Sequence, residues 1–269
     1  MPAVFVWPCG SGCRQPSGCL LSTPRLSGSN LSRIVEGPMV RFALLAALSL
    51  TFPAGAQAAE RKLDLSNIRG LILAAGVTAE ISSTKGPAEA KLSGDPTAIE
   101  QFALEADEAV YTLRYTGQVP LSAEEMAKVT LSVKTPYLGY FSNARGGVVT
   151  FRDFATKGLL LEQGYSGFTD FQGEQFGGSV TLSGTCEAVN VGFRGPGRID
   201  ARDFKCKTVW IGAEGDGHLD VYASEAFKSQ LAGSVTVAVA GDPKYCLART
   251  AGASSARCGD RVAETFTDE

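Results

Sequence analysis

The residues that could do chemistry crowd into one stretch, "RIDARDFKCKTVWIGAEGDGHLD", residues 198 to 220. It holds Arg198, Arg202, Asp203, Glu214, Asp216, Asp220 and His218, the only histidine of the chain. General acid–base work would fall to His218 or to a carboxylate with a raised pKa. Acids and bases spread over one outer face in this way are what a polysaccharide-cleaving β-helix would need. No recognisable pair of carboxylates stands here, however, and polar residues between apolar ones are what solvated strand faces carry. "GAEGDGHLD" is similar to the glycine–aspartate nonapeptides that share calcium between successive turns. Those need tandem copies, and the preceding copy has Pro196 where Asp216 stands. No metal site is expected.

Other catalytic signatures are missing. The chain has no GxSxG, P-loop, HExxH or dinucleotide fingerprint, so no catalytic or cofactor-binding residue is assigned and no cofactor is expected. Trp210, with Arg198 and His218, is left as a candidate surface contact. An exposed Trp between inward-facing Val209 and Ile211 suits a sugar ring or a protein partner. Burial beneath the N-terminal β-region, a neighbouring coil or the tail is the competing reading.

The elements that must position these residues are short strands. Val189-Asn190-Val191-Gly192 returns as Val209-Trp210-Ile211-Gly212, and Gly195-Pro196-Gly197 as Gly215-Asp216-Gly217. Ile199-Asp200-Ala201 returns as Leu219-Asp220-Val221, again twenty residues on. Apolar pairs between glycine-containing turns run from Val149/Phe151 to Val235/Val237/Val239. A period of about twenty built from short strands predicts an all-β fold, a β-solenoid stacking one coil on the next. Val189 then lies on Val209, Val191 on Ile211, Ile199 on Leu219 and Ala201 on Val221, all facing inward. Asn190/Trp210 and Asp200/Asp220 face outward, Arg194 lies over Glu214, and Arg198 under His218 with Arg202 under Tyr222 makes a mildly basic strip. Gly192/Gly212, Gly195/Gly215 and Gly197/Gly217 are expected at the corners. Ahead of the repeats, residues 63 to 136 read as a β-region. Asp95-Pro96 opens one short helix there, and Ser122 to Lys128 forms a loop or single turn.

Composition sets the compartment. The 269 residues carry a net charge of −3 without a basic stripe, which gives no reason to expect nucleic acid as a partner. From Met39 the chain has the parts of a secretory signal: Arg41, an apolar run from Phe42 to Phe52, and Ala56-Gln57-Ala58 for cleavage. The apolar run is too short to span a bilayer. Residues 1–38 read as structureless leader ahead of a mis-assigned start, 39–58 as signal peptide, and 59–269 as a single exported domain. The expected location is the periplasm or bacterial envelope, with an envelope protein or a glycan as partner and no transmembrane span in the mature chain. Four cysteines remain after the leader, Cys186, Cys206, Cys246 and Cys258, an even number that suits disulfides in an oxidising compartment. Three pairings are possible. Their spacings of twenty, forty and twelve contain no zinc knuckle. Stacking favours Cys186 with Cys206, which differ by the coil period, although stacked cysteines with parallel Cβ vectors can also stay a reduced ladder, and leaves Cys246 and Cys258 to close the tail.

Four motifs, in order, carry a resemblance. They are "NIRGLILAAGVTAEIS"; "AKLSGDPTAIEQF" leading into "AVYTLRYTG"; "KVTLSVKTPYLGYFSNARGG"; and "DVYASEAFKSQLAGSVTVAVAGDPK". From Leu63 to about Lys244 the chain resembles the putative auto-transporter adhesin, head GIN domain family of bacterial exported proteins. The resemblance implies a β-solenoid in the envelope with no established activity and no catalytic residues to carry over. Two departures stand out. "GFRGPGRID" and "GAEGDGHLD" replace the family's more usual Ser-Gly-Ser-Gly-Asp type of repeat, and the tail "KYCLARTAGASSARCGD" is an addition.

Overall fold

A computed structural model describes residues 58–165, 167 and 177–266; the expected leader and signal peptide, up to residue 57, lie outside the described residues. The N-terminal part comprises β1 (Ala59–Leu63), β2 (Gly70–Leu73), β3 (Thr78–Ser83), β4 (Glu89–Gly94), α1 (Pro96–Glu100), β5 (Phe102–Asp107), β6 (Val110–Tyr115), α2 (Ala123–Ala127), β7 (Thr130–Thr135) and β8 (Tyr140–Asn143). The repeats follow as β9 (Val148–Gln163) and the long, bent β10 (Ser179–Gly233). The chain closes with β11 (Thr236–Ala240), β12 (Tyr245–Thr250), β13 (Ser255–Cys258), β14 (Arg261–Val262) and β15 (Glu264–Thr265). Among the described residues, all of these strands join one 15-stranded sheet. The fold is all-β.

The first short helix starts where the sequence predicts, and α2 stands where a loop or single turn was expected. The Asp95 side chain accepts from the backbone N–H of Thr97 at 2.9 Å and of Ala98 at 3.1 Å, with Pro96 in the first turn. Ser122 and Glu125 form a reciprocal capping box on α2.

Strand directions are mixed. The repeats pair in parallel: Val189 beside Leu159 and Val191 beside Leu161, Leu219 beside Val237, Phe227 beside Cys246, and Val237 beside Ala256. At the N-terminal end β1/β4, β4/β7 and β5/β6 are antiparallel, as is β13/β14 near the other end. The step is not a uniform twenty either. It is thirty from Leu159 to Val189, eighteen from Leu219 to Val237 and nineteen from Val237 to Ala256. The long step has a simple cause: residues 164–178 stand as extra chain between β9 and β10. Within β10 the twenty-residue step holds at a corner, where a Cβ on Gly215 would come within 2.7 Å of the Gly195 backbone.

The inward positions are apolar and closed. Val189, Val191, Ile199, Ala201, Val209, Ile211, Leu219 and Val221 are all buried. Six phenylalanines join them with almost no exposure: Phe141, Phe151, Phe154, Phe193, Phe204 and Phe227. Phe151 meets Phe141 edge-on at 5.0 Å and Phe154 at 5.3 Å. Each such side chain contributes about 1.5–3 kcal/mol on leaving water. One polar pair is buried among them. Asn143 Nδ2 donates to Gln163 Oε1 at 2.9 Å across the β8/β9 pairing, and Asn143 Oδ1 accepts from Gly147 N at 3.0 Å.

Two disulfides staple the stack. Cys186–Cys206 joins positions twenty apart with their Cα atoms at 4.5 Å, and Cys246–Cys258 ties β12 to the end of β13. Converting Cys246 and Cys258 together to serine should lower stability by about 3 kcal/mol, because the unfolded chain regains the freedom of a short loop. Urea denaturation of the oxidised wild type and the double variant measures the difference.

Candidate functional site

The chemistry-bearing strip lies on two neighbouring segments of β10. Each follows a glycine corner, so Arg198, Asp200 and Arg202 alternate outward on one and His218, Asp220 and Tyr222 on the next. Asp220 is the centre, its side chain only 8% exposed. Arg198 donates through Nη2 to Asp220 Oδ2 and lies 3.9 Å from Asp200 Oδ2. His218 Nε2 stands 3.2 Å from Asp220 Oδ1. Arg202 forks onto Asp200, Nε to Oδ1 at 3.1 Å and Nη2 to Oδ2 at 2.9 Å. Lys205 Nζ donates to the Arg202 carbonyl at 2.6 Å and sits 4.3 Å over the Tyr222 ring.

The strip is therefore not basic. Arg198 was expected to stack under His218 in a basic strip, but a cross-strand diagonal brings Arg198 to Asp220, and Arg202 pairs with Asp200 along its own strand. Hydrogen bonds from Arg202 hold the Asp200 carboxyl below its ordinary value, the wrong direction for a general acid near neutral pH. Asp203 lies 3.7 Å from Lys205, while Glu214 and Asp216 are exposed on the corner segment. The arrangement presents a charge-balanced polar face in which Arg198 and His218 meet on Asp220.

Trp210 lies apart from this strip, since the corner at Gly215 (φ +122) comes between. Its side of the strand is open, with the residue 40% exposed. The indole lies over Gly212, where a Cβ would come within 3.2 Å of the ring. Gly192 is similar: a Cβ there would come within 2.0 Å of the Tyr165 hydroxyl. These two glycines were expected at corners. Neither takes the positive φ seen at Gly195 and Gly215, and what they provide is room for an aromatic ring across the outer face.

Tyr165 uncovers a constellation the sequence did not announce. Ser142, Glu162 and Gly192 sit side by side on three paired strands, and Tyr165 crosses all three. Ser142 donates to the Tyr165 carbonyl at 2.7 Å. Beneath it Glu162 is buried, accepting from the Tyr140 hydroxyl at 2.5 Å and from Gly167 N at 2.8 Å. Arg194, expected over Glu214, lies 4.8 Å over the Tyr165 ring. Burial raises the Glu162 carboxyl above its ordinary value and, with Glu162 adding to it, pushes the Tyr165 hydroxyl up to about 12.

A raised folded-state pKa means that the folded chain holds the Glu162 proton more tightly than the unfolded chain does. Stability then falls as pH rises from the unfolded pKa through the folded one, and stays lower above it. Glu162→Gln abolishes that slope. Urea midpoints taken from pH 4 to 8 should show the variant gaining on the wild type as pH rises; a difference that shrinks with pH would contradict the assignment.

Among the described residues no group of three or more His, Cys, Asp or Glu side chains is placed to hold a metal ion, and no helix is long and apolar enough to cross a membrane.

Residues 69–243 match the family described as putative auto-transporter adhesin, head GIN domain. No curated protein matches the chain. Among solved structures, a putative adhesin from Bacteroides fragilis is similar with a TM-score of 0.56 at 14% identity, over 78% of this chain and 97% of that one. A putative lipid binding protein from Parabacteroides distasonis aligns with a TM-score of 0.42 at 13% identity, over 79% and 98%. A putative adhesin from Parabacteroides merdae aligns with a TM-score of 0.40 at 10% identity, over 79% and 98%. The likeness to the first is one of fold.

Proposed function

We propose a function from one premise: the chain belongs to the putative auto-transporter adhesin, head GIN domain family. On that premise it is a non-catalytic, adhesin-like module of the bacterial envelope that works by presenting the outer faces of a β-solenoid. The parallel pairings of β9 to β13 and the corner of Gly215 on Gly195 support the solenoid reading, with the antiparallel strands as its N-terminal β-region. Export is supported by the signal-like stretch from Met39 to Ala58 and by two disulfides, which persist in oxidising compartments. The mature chain then begins near Ala59 and runs as one domain with a disulfide-bearing tail. N-terminal sequencing of the exported protein checks this, and recovery of residues 1–38 on it would overturn it.

The observation that carries the binding reading is Trp210, held flat and open on a strand face. An indole kept in water serves contact better than stability. Arg198 and His218 then form a second, charge-balanced contact surface. Retention of the purified protein on envelope fractions should weaken with Trp210→Ala while the fold is unchanged. Incubation with cell-wall and exopolysaccharide substrates should give no turnover. Turnover lost in His218→Ala or Asp216→Ala would replace this reading with a carbohydrate-active β-helix enzyme.

A further inference from the structure

A groove opens on a part of the stack that neither Trp210 nor the Arg198 strip lines. After β7 the chain turns through Pro136 and Tyr137 beside two paired segments, where Ala155 lies against Thr185 and Thr156 against Cys186. The space between them is about 520 Å³. Tyr137, Thr156, Lys157, Thr185 and Glu187 line it, with Cys186 in the wall. The Cys186–Cys206 bond ties that wall to the next coil, so Thr185 and Glu187 are carried by a braced segment rather than a free loop.

The lining has a definite chemistry. Tyr137 is 48% exposed and bends back over Gly139, where a Cβ would come within 2.5 Å of its hydroxyl. It offers an aromatic surface at the groove for the C–H face of a sugar ring. The Thr156 hydroxyl spends its proton on the Gly158 carbonyl at 3.0 Å and so faces a ligand as an acceptor. Lys157 brings donors only and Glu187 acceptors only, which together suit vicinal hydroxyls. Their charges cancel. A phosphate or a polyanion would meet Glu187 at no net gain, and an acyl chain would leave a lysine, a glutamate and two threonines against hydrocarbon in a site open to water. The volume is within the range of about 300–1,000 Å³ typical of small-molecule sites.

We propose that this groove binds a short neutral saccharide of an envelope glycan. The proposal rests on the binding-module reading above and names the ligand class and a second place for it. The test uses the exported, disulfide-intact chain titrated with cellobiose, maltose and N,N′-diacetylchitobiose, with inorganic phosphate and decanoate in parallel, followed by NMR. At least one disaccharide should bind. Tyr137→Ala and Lys157→Ala should each weaken it about tenfold, and Val262→Ala, at an exposed residue outside the groove lining, should change it less than about twofold. Near-UV circular dichroism verifies that each variant keeps its fold. Binding of none of the three sugars, tighter binding of phosphate or decanoate, or loss in Trp210→Ala with none in Tyr137→Ala overturns the groove assignment. Wild-type protein retained on envelope fractions without binding a disaccharide removes the saccharide groove and leaves the module reading standing. Failure of both assays removes both.

Discussion

Val191→Asp should unfold the centre of the stack, at a cost of several kcal/mol. Val191 is 2% exposed and lies beside Leu161 in the β9/β10 pairing, and Ile211, twenty residues on, is fully buried as well. Aspartate there has two poor options. Ionised, it leaves water for an apolar stack without a partner; protonated, it still buries a carboxyl that nothing is placed to receive. A domain's whole stability is about 5–15 kcal/mol, so one such charge can consume most of it. The loss should shrink in acid, because a buried carboxyl titrates upward and its neutral form is the cheaper to bury. Asn190→Asp, one residue away on the exposed face, should change stability by less than about 1 kcal/mol. Urea midpoints of the two variants at pH 5 and 8 decide it. Equal losses at both sites would mean that inward and outward have been exchanged.

That inside–outside assignment was legible because alternation is a local property. Val189, Val191, Val209 and Ile211 read as one face from the sequence, and they are one face. The cap of α1 was equally plain at Asp95, since a cap is decided within four residues; the Ser122–Glu125 capping box was just as local, but its polar segment reads as a loop or single turn. Strand direction is different. β4 and β7 alternate as the repeats do, and nothing in "KVTLSVKTP" tells a parallel neighbour from an antiparallel one. The thirty-residue step was hidden for a related reason: a period measured on the clean copies at 189 and 209 says nothing about extra chain at 164–178.

The candidate site divides along the same line. Arg202 with Asp200 is an i, i+2 pair on one strand face and could have been read directly. Arg198 with Asp220 is a diagonal of twenty-two residues, which depends on the reach of a guanidinium rather than on register alone. Glu162 was the hardest. Its outward position looks like that of Asn190 until Tyr165, beyond the end of its strand, crosses above it. The signal was Gly192, a glycine in the flat of a strand with no corner to make.

Gly184→Ala should be as damaging as a core charge, through the backbone alone. The β9/β10 pairing slips between Leu182 and Gly184, and Gly184 takes φ +128 to restore it. Ser183 braces the slip: its Oγ accepts from Asp153 N at 3.1 Å and donates to the Phe151 carbonyl at 3.2 Å. A Cβ on Gly184 would come within 2.0 Å of the Phe154 carbonyl oxygen and 2.6 Å of its nitrogen. Phe154 cannot withdraw, because its ring is fully buried and set edge-on to Phe151. Two costs then add. Holding an L-residue in this region costs about 1–3 kcal/mol, and forcing two backbones apart in a close-packed stack costs a comparable amount or more. Gly259→Ala separates them, since Gly259 has φ +55 with nothing within 4 Å of its Cβ and should lose only about 1–2 kcal/mol. Thermal and urea unfolding of the two variants gives the comparison. A Gly184→Ala loss no larger than that of Gly259→Ala would mean that the coils at this corner do not touch, and that the slip is free to relax.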